Sequence, residues 1–136
     1  MSYNDFLNKL KKYTPYELVA ADKICCLNFV SVSGICKNYK YDFMTSDNIK
    51  YEVKTDVMSL KTGNFFIEFM GYGKPSGIAT TEANFYIIND TVNYYMISVL
   101  KLKELVKNTR ILNTKDGSTS GFIVSIETLK DNSKII

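Results

Sequence analysis

Alternating apolar and polar residues predict short β-strands along most of this chain. The clearest run covers residues 49–56. In an extended strand its side chains point to opposite faces in turn, so Tyr51 and Val53 fall on one face and Glu52 and Lys54 on the other. An acidic and a basic side chain are therefore predicted to be neighbours on one side of a sheet.

Turn-forming residues and the spacing of apolar residues predict the other strands and helices. Residues 45–48 are turn formers that should join this strand to a preceding strand ending near Phe43, in a hairpin. Further strands are predicted over residues 65–70, 85–88, 94–99, 110–113 and 122–126. Helices are predicted over residues 2–12, 15–29 and 100–107, with a short one beginning near Ala79 or Thr80. The chain after Leu129 is polar and is predicted to fray, with docking of the last two isoleucines as the alternative.

Length and composition favour a single domain over residues 1–136, with enough chain for a hydrophobic core. No apolar run approaches the roughly 20 residues that span a bilayer, and the first residues are amphipathic rather than a leader. The expectation is a soluble intracellular protein, with no membrane partner. The net charge of +3 permits nucleic-acid binding without requiring it.

The cysteine and histidine content of the chain limits the catalytic mechanisms that it can use. Cys25, Cys26 and Cys36 are an odd number, two of them adjacent on a predicted helix, which favours reduced thiols over a disulfide framework. The chain has no histidine. Serine–histidine triads, histidine-dependent nucleases and nearly all zinc enzymes are thereby excluded. An enzyme of this composition has to use carboxylates, lysine and tyrosine.

Asp42, Glu52 and Lys54 form the one constellation that suits this inventory. The hairpin should bring Asp42 beside Glu52, and two carboxylates on neighbouring strands can hold Mg²⁺ or Mn²⁺ while leaving positions for water and phosphate. The cation would polarise a phosphate and activate water, and the Lys54 ammonium would orient that water or stabilise negative charge. The competing interpretation is a solvated strand face with alternating charges.

These three residues, together with residues 73–88 (GKPSGIATTEANFYII), resemble the PD-(D/E)XK nuclease superfamily. The similarity is to small phage-type or virus-type members and to Holliday junction resolvase-like proteins, and it covers roughly residues 17–99. Tyr41 stands where the motif's name has proline, and Asn84 stands where an aspartate is expected.

The resemblance implies a restriction-endonuclease-like α/β core: a central mixed sheet, opening with a three-stranded antiparallel meander and flanked by helices. It implies a Mg²⁺-dependent deoxyribonuclease, with Asp42, Glu52 and the Val53 carbonyl as metal ligands and Lys54 positioning water. In similar nucleases a glutamate of the first helix reaches the metal, which gives Glu17 a catalytic role. A capping box at the start of that helix explains Glu17 equally well.

A basic, glycine-rich loop is the predicted DNA contact. Exposed N–H groups at the start of the short helix expected near residue 79 would bind phosphate oxygens. The residues predicted to contact DNA are Lys61, Lys74, Ser76, Thr80 and Thr81. An ordinary glycine-rich connection is the alternative.

A structure-selective, junction-resolvase-like endonuclease is the favoured function, with a small phage-type exonuclease as the alternative nuclease. Cutting two strands symmetrically would require a homodimer. One alternative is a catalytically inactive nuclease-fold module that binds nucleic acid or a protein. Another is an interaction domain whose tyrosines and phenylalanines form a partner surface.

Overall fold

The computed structural model describes residues 15–35 and 40–136, and these contain both helices and strands. Its helices are α1 (Pro15–Asn28), α2 (Ser59–Thr62), α3 (Val99–Val106) and α4 (Ile126–Asn132), with a 3₁₀ helix at Gly77–Ala79. The first five strands are β1 (Val32–Ile35), β2 (Phe43–Thr45), β3 (Lys50–Thr55), β4 (Asn64–Gly71) and β5 (Lys74–Pro75). The others are β6 (Phe85–Asn89), β7 (Tyr94–Ser98), β8 (Arg110–Asn113), β9 (Thr119–Ser125) and β10 (Lys134–Ile135). The helix predicted over residues 2–12, and Cys36, lie outside the described residues.

A mixed six-stranded sheet is the centre of the molecule. Its strand order is β1-β2-β3-β6-β7-β10, with β3 and β6 parallel and the remaining neighbours antiparallel. Helix α1 packs on one face, while α3 and α4 contribute to the core on the other. The predicted α/β class, with a central mixed sheet flanked by helices, is confirmed.

A second sheet was not predicted. Strands β5-β4-β9-β8 form a four-stranded antiparallel sheet whose buried residues share a core with β6, β7, α3 and α4. The strand predicted over residues 65–70 is present as β4, but it follows the β2–β3 hairpin without joining its sheet, because β4 pairs with β9 and β5. The antiparallel meander consists instead of β1, β2 and β3.

The chain between the parallel strands β3 and β6 runs through this second sheet, as β4 and β5. Asp56 fixes the start of this crossover. Its carboxylate accepts hydrogen bonds from the Met58 amide at 3.1 Å and from the Phe66 amide of β4 at 3.1 Å. The Asp56 carboxylate therefore joins the two sheets, and its hydrogen bonds explain why an acidic residue follows β3.

The alternation predicted for β3 is confirmed. Tyr51 and Val53 are buried in a core with Ala20 and Ile24 of α1, on one side of the sheet. Glu52 and Lys54 consequently face the other side, towards the second sheet. Cys25 and Cys26 are free thiols on α1; Cys25 is partly buried and Cys26 is exposed.

The predicted fraying after Leu129 is wrong. The Ser125 side chain caps α4 by accepting a hydrogen bond from the Thr128 amide at 3.0 Å, and Leu129 is fully buried. Beyond α4, Lys134 and Ile135 pair with β7 as an edge strand. Among the described residues, no helix is both long and apolar enough to cross a membrane.

Candidate functional site

Asp42 and Glu52 lie opposite each other across the β2–β3 hairpin. Phe43 pairs with Tyr51, which places Asp42, one residue before β2, beside Glu52. The Asp42 amide donates to the Tyr51 carbonyl at 2.8 Å, and its Oδ2 accepts from the Val53 amide at 2.7 Å. This pair of bonds holds the carboxylate over β3. The predicted juxtaposition of the two carboxylates is thus confirmed.

Glu52 is a buried carboxylate whose two oxygen atoms differ in their contacts. It is only 7 % exposed. Its Oε1 atom forms an ion pair with Lys54 Nζ at 3.1 Å. Its Oε2 atom is buried and has no hydrogen-bond partner among the residues that the structure describes. A buried carboxylate oxygen without a partner costs free energy and marks a place where a ligand would be stabilised.

Burial raises the pKa of both carboxyl groups. For Glu52 the neighbouring Lys54 opposes this effect, and the charge of Asp42 adds to it. For Asp42 the Val53 amide and the Lys54 charge oppose burial. Two carboxylates thus share one ammonium group, and this excess of negative charge is what a divalent cation would neutralise.

These features fit a hard cation such as Mg²⁺ or Mn²⁺. The donors are oxygen atoms, and the Glu52 Oε2 atom has a free acceptor position. The protein supplies few ligands, however: within residues 15–35 and 40–136, no three cysteine, aspartate or glutamate side chains form a group that could hold a metal. Asp42 and Glu52 would therefore bind the ion together with water and phosphate. The Val53 carbonyl as a third ligand stays a prediction.

A cleft of about 360 Å³ opens between β3, β4 and β6; Asp42 and Glu52 do not line it, but Lys54, the ion-pair partner of Glu52, does. Lys54, with a side chain 46 % exposed, lines it together with Glu68 and Tyr86. Its ammonium group can therefore contact both Glu52 and a ligand in the cleft. This position is compatible with the predicted role of Lys54 in orienting water.

Tyr86 belongs to this site and was not predicted. It pairs with Glu52 in the register of the parallel strands β3 and β6, so the two side chains share a face. Burial and the charges of Glu52, Asp42 and Glu68 raise its pKa. Finding Tyr86 from the sequence would have required the register of two strands that are more than 30 residues apart.

Glu17 lies on α1, on the helical face that carries Ala20 and Ile24. That face packs against the side of the sheet formed by Tyr51 and Val53, opposite the side that carries Glu52. The catalytic role of Glu17 stays a prediction.

The predicted phosphate-binding helix near residue 79 is absent, and the prediction is wrong. A single 3₁₀ turn, Gly77–Ala79, occupies this place. The amides of Thr80 and Thr81 donate to the Gly77 carbonyl, and the Ala79 amide donates to the Ser76 carbonyl. These N–H groups already have partners, so they are not available to a phosphate.

The side chains predicted to contact DNA separate into two groups. Lys61, Lys74 and Thr80 are exposed. Ser76 and Thr81 have structural partners, because the Ser76 hydroxyl donates to Glu68 Oε2 at 2.8 Å and the Thr81 hydroxyl donates to the Lys40 carbonyl at 3.1 Å. The five residues do not form one phosphate-binding loop, although a DNA contact by the exposed ones stays a prediction.

Asn84, found where an aspartate was expected, has a structural role. Its side-chain Oδ1 atom accepts a hydrogen bond from the backbone amide of Lys50 at 2.8 Å. Its backbone amide donates to the Lys50 carbonyl at 2.8 Å. These bonds fasten the start of β3 to the chain that enters β6. An asparagine oxygen serves this purpose without adding a third negative charge near Asp42 and Glu52.

We expect Gly77→Ala to lower the free energy of unfolding by about 3 kcal/mol, because an alanine cannot fit there. Gly77 has φ +53°, and an added Cβ would lie 2.2 Å from the Glu68 carbonyl oxygen. Gly73→Ala is the matched control, since Gly73 has φ +75° with open space around it and strain alone should cost about 1 kcal/mol. Urea titration measures both. Equal losses in the two variants would contradict the predicted clash.

The sequence matches no protein-family model, and no curated protein is significantly similar to it.

Proposed function

We propose that this protein is a metal-dependent nuclease that hydrolyses phosphodiester bonds in DNA, with Mg²⁺ or Mn²⁺ held by Asp42 and Glu52. The observation that carries the proposal is the Glu52 carboxylate, buried beside Asp42 with Oε2 unpartnered among the described residues. Buried polar atoms normally have a partner, and a bound cation would be the partner of Oε2. The resemblance to the PD-(D/E)XK superfamily supports the same function.

The protein residues have distinct tasks in this proposal. A bound divalent cation would supply charge that polarises the phosphate and lowers the pKa of water. Asp42 is fixed by the Val53 amide, so its carboxylate is presented without rearrangement. Lys54 holds one oxygen of Glu52 and presents the remainder of its ammonium hydrogens to the cleft. There it can orient the attacking water and stabilise negative charge on the phosphate.

The proposed substrate is branched or otherwise non-duplex DNA, cut by a structure-selective endonuclease. A chain with one Asp42–Glu52 pair cuts one strand, and a symmetric cut of both strands would need a homodimer with matched sites. A chain with a net charge of +3 would bind the DNA backbone weakly and in a salt-dependent manner. Recognition of DNA shape then depends on the cleft and on exposed lysines such as Lys61 and Lys74.

We expect wild-type protein to cut DNA only with a divalent cation, and Asp42→Asn to cut at least about a hundredfold more slowly. Labelled single-stranded, duplex, flapped and four-way-junction DNA would be incubated with Mg²⁺, Mn²⁺ or EDTA. The asparagine side chain of this variant retains an oxygen that can accept from the Val53 amide, so the fold should persist. Asp131→Asn, at an exposed position of α4, is the matched control and should cut normally. Failure of wild type to cut any substrate would contradict the proposal.

The small number of protein ligands favours a second candidate function. The residues that the structure describes contain no group of three metal-ligating side chains. A catalytically inactive module with the same cleft, binding nucleic acid or a protein, needs no complete metal site. DNA binding that is unaffected by EDTA, together with no cutting, would favour this candidate.

A further inference from the structure

Two buried polar atoms without hydrogen-bond partners lie on neighbouring strands of the cleft. One is the Glu52 Oε2 atom and the other is the Tyr86 hydroxyl, in a residue that is only 1 % exposed. Glu52 and Tyr86 are register partners of β3 and β6, so both side chains project from the same face. An acceptor and a donor are thus placed side by side, neither with a partner among the described residues.

We propose, on the basis of the proposed function, that Tyr86 is a further substrate-binding residue whose hydroxyl donates a hydrogen bond to a phosphoryl oxygen of DNA in the cleft.

The position of the hydroxyl supports a ligand rather than a packing role. A buried hydroxyl is normally hydrogen-bonded, because removing it from water otherwise costs free energy. The Thr81 hydroxyl lies near Tyr86 and lowers its pKa, but the Tyr86 hydroxyl forms no hydrogen bond with it or with any other described residue. Tyr86 also lines the cleft with Lys54, so a molecule bound there would contact both side chains.

The chemistry of the neighbouring groups points to a phosphoryl oxygen. Asp42, Glu52 and Glu68 are carboxylates that accept hydrogen bonds when ionised, and a phosphate beside them needs donors. The Lys54 ammonium and the Tyr86 hydroxyl supply donors on the two strands that meet at Glu52. A phenol remains protonated at neutral pH, and burial among negative charges reinforces this state by raising the pKa of Tyr86. Tyr86 would therefore bind an anionic oxygen without adding charge.

Tyr86→Phe tests this role by removing one oxygen atom. We expect about tenfold weaker binding of a single-stranded oligonucleotide in Ca²⁺, and cleavage in Mg²⁺ slower by about 10- to 100-fold. The melting temperature without metal should not fall, because the lost hydroxyl has no partner among the described residues. Mn²⁺ should raise the melting temperature of the variant with the same half-saturating concentration as in wild type, since Tyr86 binds the substrate and not the ion.

Tyr95→Phe is the matched control. Tyr95 is equally buried, at 2 % exposure, and its hydroxyl donates to Asp90 Oδ2 at 3.4 Å; neither Tyr95 nor Asp90 lines the cleft. This variant should melt at a lower temperature and keep wild-type binding and cleavage. Unchanged DNA affinity and cleavage in Tyr86→Phe, with an active wild type, would overturn the Tyr86 assignment alone. A fall in its metal-free melting temperature equal to that of Tyr95→Phe would also overturn it. A wild type that neither responds to Mn²⁺ nor cuts DNA would overturn the proposed function and this inference together.

Discussion

Glu52→Gln is expected to slow metal-dependent cleavage about a thousandfold while making the folded protein about 1 kcal/mol more stable at pH 8. Glutamine keeps the shape of the side chain but cannot carry the charge that binds a cation. In the metal-free protein the same charge is a cost, since the carboxylate is buried beside Asp42 and has an unpartnered oxygen among the described residues. Opposite effects on activity and stability are typical of a site built for a ligand.

The stability gain should depend on pH in a definite direction. Burial and the Asp42 charge raise the pKa of Glu52 in the folded state, with Lys54 opposing them. The carboxyl group therefore favours the folded state when it is protonated, below its unfolded pKa, and this contribution is lost as pH rises through the folded pKa. Glutamine is neutral throughout. The advantage of Glu52→Gln should be greatest at pH 8 and should approach zero near pH 4.

Urea titrations at pH 4, 6 and 8, with and without Mn²⁺, measure both effects. A saturating cation at 100 times its Kd stabilises a protein by about 2.7 kcal/mol, so wild type should gain stability and Glu52→Gln should not. Glu104→Gln is the control, because Glu104 also pairs with a lysine, Lys107, at 2.8 Å but is 74 % exposed. A variant Glu52→Gln that is less stable than wild type at pH 8 would show that the buried charge is well compensated.

The part of the site that the sequence predicted depends on local periodicity. Strand alternation placed Glu52 and Lys54 on one face, and the turn residues 45–48 brought Asp42 alongside. Asn48, at φ +64°, and the Thr45 amide bond to the Ile49 carbonyl at 3.0 Å close this hairpin. Each of these features involves residues less than 15 positions apart, so short-range rules were sufficient.

The errors concern long-range pairing. Phe65, Ile67 and Phe69 alternate equally well in either sheet, and only the pairing of β4 with β9, more than 50 residues later, assigns them to the second one. The C-terminal edge strand is likewise defined by its partner β7. Tyr86 was overlooked for the same reason, because its relation to Glu52 exists only in the parallel register of β3 and β6. In place of the short helix expected near residue 79, the chain forms a 3₁₀ turn whose first residue, Gly77, packs against the Glu68 backbone.

Lys54→Met is expected to slow cleavage about 10²- to 10³-fold while leaving Mn²⁺ binding intact. Lys54 contributes an ammonium group that contacts Glu52 at 3.1 Å and reaches the cleft, whereas the ion would be bound by the carboxylates. Removing a positive charge beside the carboxylates should make Mn²⁺ binding somewhat tighter. Glu52→Gln and Lys54→Met would thus both lose activity but differ in their response to the ion.

The stability of Lys54→Met should change with pH in the opposite sense to that of Glu52→Gln. Lys54 lowers the pKa of Glu52 by its charge and its hydrogen bond, so its loss makes the ionised carboxylate more costly. We expect the free energy of unfolding to fall by about 1 kcal/mol at pH 8, a modest loss because the lysine is half exposed, and to change little near pH 4, where Glu52 is protonated.

Single-turnover cleavage, Mn²⁺ titration and urea titration measure these effects, with Lys107→Met as the exposed control. Loss of Mn²⁺ binding in Lys54→Met would show that Lys54 maintains the structure of the metal site. Cleavage by Lys54→Met at the wild-type rate would show that Lys54 has no catalytic role.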